Sequence, residues 1–194
     1  MGPASQAPPA GPGPDGPRWL LLVYRVPSDS SRARVAVWRD LKRLGGLYLQ
    51  QMVCLLPARP DVSDAVARVR EKITDLGGSH HYFELPALPE AQEAELRRGF
   101  LEMSAKDYAE IVEECETKFV KEIEFERFRA NFTFEESEEI RQDLEKLRRW
   151  YDRVLARDWF GAPGRQEAAD WVARCQRLLE EFEEEVYART GGGG

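Results

Sequence analysis

The chain has 194 residues, 42% of them hydrophobic and 32% charged, enough for one good core or two modest ones. Its formal net charge of −7 is uneven: residues 1–86 carry 11 Lys/Arg against 8 Asp/Glu, residues 87–194 carry 17 against 27. A polyanionic ligand must therefore meet the first half, and no apolar run approaches the roughly eighteen residues that a membrane span needs.

Residues 1–17 are rich in Pro, Gly and Ala, with no basic start and no apolar centre, and read as a disordered tail rather than a signal peptide. Trp19 to Val26 follows as a nearly continuous apolar run, the pattern of a central strand buried on both faces, and Pro27 ends it. Ser28, Asp29, Ser30 and Ser31 offer capping side chains for an amphipathic helix that runs to about Leu44, where Gly45-Gly46 stops it. Leu47–Leu49 and Met52–Leu56 read as two short strands around Gln50-Gln51, or as one bent strand.

Asp61 is placed to cap a second helix, whose buried stripe is Val62, Val66, Val69 and Ile73 and whose end is Gly77-Gly78. His80 to Leu85 makes a last strand before Pro86. The resulting order is β-α-β-β-α-β over residues 18–86, a ferredoxin-like α+β domain with both helices on one face of an antiparallel sheet. Because the first strand is apolar on both sides, either C-terminal helices or a partner subunit must cover the other face.

Residues 87–190 read as a three-helix antiparallel segment. Its stripes are Tyr108, Val112, Cys115, Phe119 and Ile123; then Ile140, Leu144, Leu147, Tyr151 and Val154; then Ala168, Val172, Cys175, Leu179, Phe182 and Val186. Thr133 and Glu136 form a capping box at the start of the middle helix. Residues 191–194, GGGG, read as a flexible tail. Cys54, Cys115 and Cys175 are scattered in sequence at apolar positions, which favours free buried thiols and a reducing, cytoplasmic setting.

Projected at 100° per residue, the first helix places Val37, Leu41 and Leu44 inward, with Trp38 on the shoulder. Arg32, Arg39 and Arg43 fall within about 40° of one another on the opposite side, with Lys42 alongside. Such a stripe either binds the phosphates of a nucleic acid or another anion, or is a solvated helix face. Arg25 ends an apolar strand, where a charge needs a partner such as Asp29 or Glu84, or marks an anion site. In the turn Asp158–Arg165 the aromatics Trp159 and Phe160 are expected to plug the helical bundle, and Arg165 at the next helix start is a second candidate anion contact.

No reaction is legible. His80 and His81 alternate across a strand and cannot share a metal, and neither accompanies a nucleophile, so no catalytic residue, cofactor or metal is expected. Runs such as Glu113-Glu114-Glu116 and Glu180–Glu185 read as solvated outer faces.

Three segments carry a resemblance: WLLLVYRVPSDSSRARVAVWRDLKRLGGLYLQ, KDYAEIVEEC and RDWFGAPGR. Together they are similar, over roughly residues 18–185, to the N-terminal domain of the bacterial chromate-resistance regulator family ChrB. The resemblance implies a non-enzymatic, cytoplasmic part of the control of an efflux-transporter operon, with a ferredoxin-like domain followed by helices. Full-size members carry a further C-terminal domain to which the chromate response is assigned; the resemblance here stops short of it, which implies a DNA-binding, scaffold or accessory role. The expected partners are DNA, a second copy, or a protein docked by the acidic helices. The first strand and helix also resemble CRISPR-associated ferredoxin-like nucleases and part of the phenylacetate-pathway repressor. Where those nucleases place a metal-binding aspartate, this chain has Tyr24-Arg25-Val26, and an arginine cannot ligate Mg²⁺.

Overall fold

Alternation along one strand organises the first part of the molecule. In β1 (Trp19–Arg25), Leu20, Leu22 and Tyr24 face one side and Trp19, Leu21 and Val23 the other, as the two-residue period of a strand requires. The computed structural model describes residues 18–27 and 31–191. The tail at 1–17, the caps Ser28, Asp29 and Ser30, and the last three glycines lie outside the described residues.

After β1 come α1 (Ser31–Arg43), β2 (Leu47–Gln50), β3 (Val53–Pro57), α2 (Pro60–Asp75) and β4 (Ser79–Leu85). The strands form one antiparallel sheet in the order β2-β3-β1-β4. Two short strands thus flank the Gln50–Val53 turn, where Met52 takes a positive φ of 62°, and the bent-strand alternative falls away. The fold class is mixed α+β.

The chain divides into two units: residues up to Met103 with Arg157–Gly161, and Ser104–Ala156 with the residues from Ala162 onward. The division falls later than residue 87, because the first turns of α3 (Glu90–Glu114) go with the sheet.

In the first unit, α1 and α2 share one face of the sheet. Ala33, Val37 and Leu41 of α1 meet Val62, Val66, Val69 and Ile73 of α2 over Leu20, Leu22, Cys54 and Leu56. Burying each such aliphatic side chain contributes about 1.5–3 kcal/mol relative to exposure. Arg59, not Asp61, is the N-cap of α2: Pro60 takes the first helical position, where its missing N–H costs nothing, and Asp61 pairs with Arg59 Nε at 3.3 Å. At the end of α1, Gly45 has a φ of 72°, and a Cβ there would collide with Trp159 and Arg157.

The second sheet face is covered by this unit's own residues. Phe100 and Leu96 of α3, with Trp159 and Phe160 from the later turn, pack on Trp19, Leu55, Leu47 and Leu85. Trp19 stacks on Phe100 with centroids 5.8 Å apart, and Phe160 lies 5.5 Å from Phe100. The turn aromatics therefore serve the sheet rather than plug the helical bundle as expected; an aromatic beside a turn goes to whichever apolar surface is unpaired. Further along this face Phe83 and Leu49 stay about half exposed.

The second unit holds the remainder of α3, a π turn (Cys115–Phe119), α4 (Val120–Phe128), α5 (Phe134–Leu155) and α6 (Arg165–Thr190). Of the α5 stripe Ile140, Leu144, Leu147 and Val154 are buried and Tyr151 is half-buried beside Tyr108, whereas all six α6 positions from Ala168 to Val186 are buried. In α3 Tyr108 is fully buried as its spacing requires, but the next inward residue is Ile111 rather than Val112, and the π turn holds Cys115 and Phe119 both inside. Thr133 caps α5 by accepting the Glu136 N–H at 3.2 Å, but the capping box is half made, since the Glu136 carboxylate accepts from Asn131 at 3.1 Å instead.

Several acids expected to be solvated join helices. Arg127 of α4 contacts Glu185 at 2.7 Å and Glu181 at 3.6 Å, and Arg141 of α5 meets Glu183 at 2.7 Å, so both helices are tied to the last turns of α6. The three cysteines are free and buried. Cys115 and Cys175, remote in sequence, are hydrogen-bonded neighbours, and that bond with burial pushes the Cys175 thiol far above its usual range.

Candidate nucleic-acid interface

The inward residues of α1 recur every four positions, so a continuous outer side is left for charge. Arg32 and Arg39 are exposed there, and among the described residues neither has an ion-pair partner. Arg43, 66% exposed at its side chain, lies 3.8 Å from Asp40. Asp40 itself leans to the neighbouring helix, where Lys72 Nζ sits 2.6 Å from its Oδ2. The acid closest to the stripe is thus engaged sideways, and the three guanidiniums keep their outer faces in water.

Lys42 departs from the expected stripe. It is half-buried, donates to Met103 Sδ at 3.4 Å, and its backbone carbonyl accepts from Arg157 at 3.4 Å. A four-carbon stem lets a lysine at the edge of a helix face lie along apolar surface, so its angle on the helical wheel did not fix its direction. Arg34 is half-buried and engaged.

Trp38 is the residue that the charge pattern missed. Assigned to the shoulder of the core, it is 48% exposed, and Val35 nearby is 46% exposed. An indole beside arginines suits stacking on a base or a sugar face, and the signal in the sequence was its 100° offset from Val37.

Arg25 is exposed at the end of β1 and opposes Ser79 across the ladder. Glu84 is not its partner: it opposes Leu20 at the other end and on the other face, and accepts from Tyr82 Oη at 3.2 Å. Arg25 needs no counter-ion, because the strand end is wet; Asp29 lies outside the described residues. Arg165 opens α6 in the second unit, half-buried and engaged rather than free. His80 and His81 take opposite faces of β4, and partial burial, with Arg70 and His81 nearby, holds the His80 imidazole below its ordinary pKa.

Beneath α1 the sheet face is sealed. Tyr24 and Tyr48 share a hydroxyl hydrogen bond of 2.9 Å, and burial raises both phenols. The Cys54 thiol, also buried, is pushed up to about 12. These groups stay neutral at pH 7 and fix the floor on which the basic helix rests.

A mixed sheet-and-helix unit bearing a basic helix, joined to an acidic helical unit, is thus the class that fold and site define. The family described as "Protein ChrB, N-terminal" matches residues 34–192, and the chain belongs to that family. It is 33% identical over 82 residues to "Protein ChrB" of Cupriavidus metallidurans, a match that covers 42% of this chain and 25% of that relative. The chain thus matches about a quarter of that curated relative's length. Among the described residues no helix is long and apolar enough to cross a membrane.

Proposed function

We propose that this chain is a non-enzymatic regulatory module of a chromate-resistance system, which binds DNA through α1 as a dimer in the cytoplasm. The chromate association rests on the family membership together with the resemblance over residues 18–185. The β-α-β-β-α-β unit is read as a ferredoxin-like domain, with the helical segment as its acidic appendage. The observation that carries DNA binding is the trio Arg32, Arg39 and Arg43, exposed along one side of a helix that lies in the positive half of an acidic protein.

The test is the salt dependence of affinity for duplex DNA. Each phosphate neutralised contributes about 0.9 to the log–log slope, so Arg32→Ala/Arg39→Ala/Arg43→Ala should flatten it by about 2–3 units. A slope unmoved by the triple substitution makes the stripe ordinary surface.

A second reading is a partner-docking module. It is favoured by Phe128, Phe134 and Tyr187 of the helical unit, exposed by 86%, 62% and 72%. Absence of DNA binding at low salt, with capture of one specific protein that is lost when these three aromatics are replaced, selects it over the first.

A further inference from the structure

The two edges of the sheet differ. β2 has four residues and its pairing with β3 is interrupted by a register shift between Tyr48 and Gln50, the kind of irregularity that blunts an edge. β4 has seven residues, contains neither proline nor lysine, and opposes β1 without a break from Ser79 to Leu85. Among the described residues, no strand pairs with its outer side.

Which backbone groups that edge offers follows from the ladder. Tyr24 N–H donates to Met52 at 3.0 Å, so within β1 the even residues turn their peptide groups to β3; just before the strand, Arg18 accepts from Ala58 at 2.9 Å while its N–H donates to Leu85 at 2.8 Å. The odd residues of β1 therefore bond to Ser79, His81, Phe83 and Leu85. His80, Tyr82 and Glu84 are left with N–H and C=O groups directed away from the sheet.

We infer that β4 pairs with β4 of a second copy in an antiparallel register centred on Tyr82, which joins two four-stranded sheets into one. In that register the outward residues meet each other: Tyr82 faces Tyr82 of the second copy, and His80 faces Glu84. An imidazole N–H thus stands opposite a carboxylate acceptor twice per dimer, on the face that carries α1 and α2. Arg70, whose guanidinium lies 4.5 Å above the Tyr82 ring, adds positive charge opposite the second copy's glutamate. Registers shifted by two residues pair fewer positions of the strand and set His80 or Glu84 against Tyr82. Beside the edge, Ala67, Arg70, Glu71, Thr74, Asp75 and His80 line an open groove of about 320 Å³ between α2 and β4, which leaves the incoming strand room. On the other face the half-exposed Phe83 comes opposite His81 of the second copy.

This inference deepens the dimer in the proposed function but does not require DNA, and the two are separable: β4 substitutions are read by association state, α1 substitutions by salt slope. The full chain is examined by sedimentation across the micromolar range, with residue-resolved amide exchange. The expected result is a reversible dimer in which His80, Tyr82 and Glu84 amides gain protection with concentration, whereas His81 and Phe83, bonded to β1, are protected throughout. Glu84→Lys, which removes the acceptor facing His80 and sets a cation beside Arg70 of the second copy, should weaken the dimer by about tenfold or more, and His80→Glu/Glu84→Lys, which gives that lysine a carboxylate opposite, should restore it. A chain that stays monomeric, a dimer whose His80, Tyr82 and Glu84 amides exchange freely, or a dimer indifferent to Glu84→Lys overturns the inference. The amide pattern of the unsubstituted chain decides even where a variant fails to fold.

Discussion

Lys72 Nζ lies 2.6 Å from Asp40 Oδ2, which ties α2 to the flank of α1 and draws the one acid of that helix away from Arg32 and Arg39. Both side chains are partly exposed, so the pair contributes little to stability, about 0.2–1 kcal/mol. Its larger effect is on charge. Asp40→Asn should leave the melting temperature within a few degrees and raise duplex DNA affinity at low salt. Titration of the variant beside the parent chain checks both; an unchanged affinity would separate Asp40 from the interface.

Trp38 and Trp19 are both tryptophans of the first unit with opposite expected behaviour. Trp38→Ala removes a side chain 48% exposed and should change stability by less than about 0.5 kcal/mol while reducing DNA affinity. Trp19→Ala removes a ring 2% exposed and stacked on Phe100, and should cost about 3–5 kcal/mol. Denaturant unfolding measures the difference; equal costs for the two would contradict the packing.

Alkaline stability should report the sealed sheet face. Cys54 rises from 9.0 to about 12 through burial, and Tyr24 and Tyr48 also rise, so in the unfolded chain these groups lose protons at lower pH than in the fold. The stabilisation is complete below about pH 9 and is lost as pH climbs toward 12, because the unfolded state then binds fewer protons. Cys54→Ala should flatten this loss, and native Cys54 should resist alkylation at pH 8 until the chain unfolds.

Asn131 links two carboxylates in the second unit: its Nδ2 stands 2.6 Å from Glu126 and 3.1 Å from Glu136. Glu126 is 4% exposed, and burial with Glu126 nearby raises the Glu136 carboxyl above its ordinary value. Asn131→Ala leaves the buried Glu126 short of a donor and should cost about 1–3 kcal/mol. Glu126→Gln in that background should recover part of the loss, since a neutral amide tolerates burial better; thermal unfolding of the parent chain and the two variants measures it.

Gly46 packs against Cys54 so closely that an added Cβ would meet Sγ. Gly46→Ala should therefore destabilise by about 1–3 kcal/mol, and Gly46→Ala/Cys54→Ala should recover most of it. A double-mutant cycle by urea unfolding reads the coupling directly.

What could be read without coordinates was whatever repeats along the chain. Val37 and Leu41, the Val62–Ile73 stripe of α2, most of the inner row of α5 and all of that of α6 were legible because a helix places every third or fourth residue on one side. The same periodicity identified the outward trio of α1, since a guanidinium opposite a core stripe has no place but water.

Interactions between remote segments were decided by tertiary structure alone. Trp159 and Phe160 serve the sheet, Lys42 lies along Met103, Cys115 adjoins Cys175, and the partly exposed Glu183 and Glu185 pair with arginines of other helices. Local spacing says on which side of its own element a residue stands. What it meets there depends on another element's surface, and for long, flexible or aromatic side chains that surface chooses the direction.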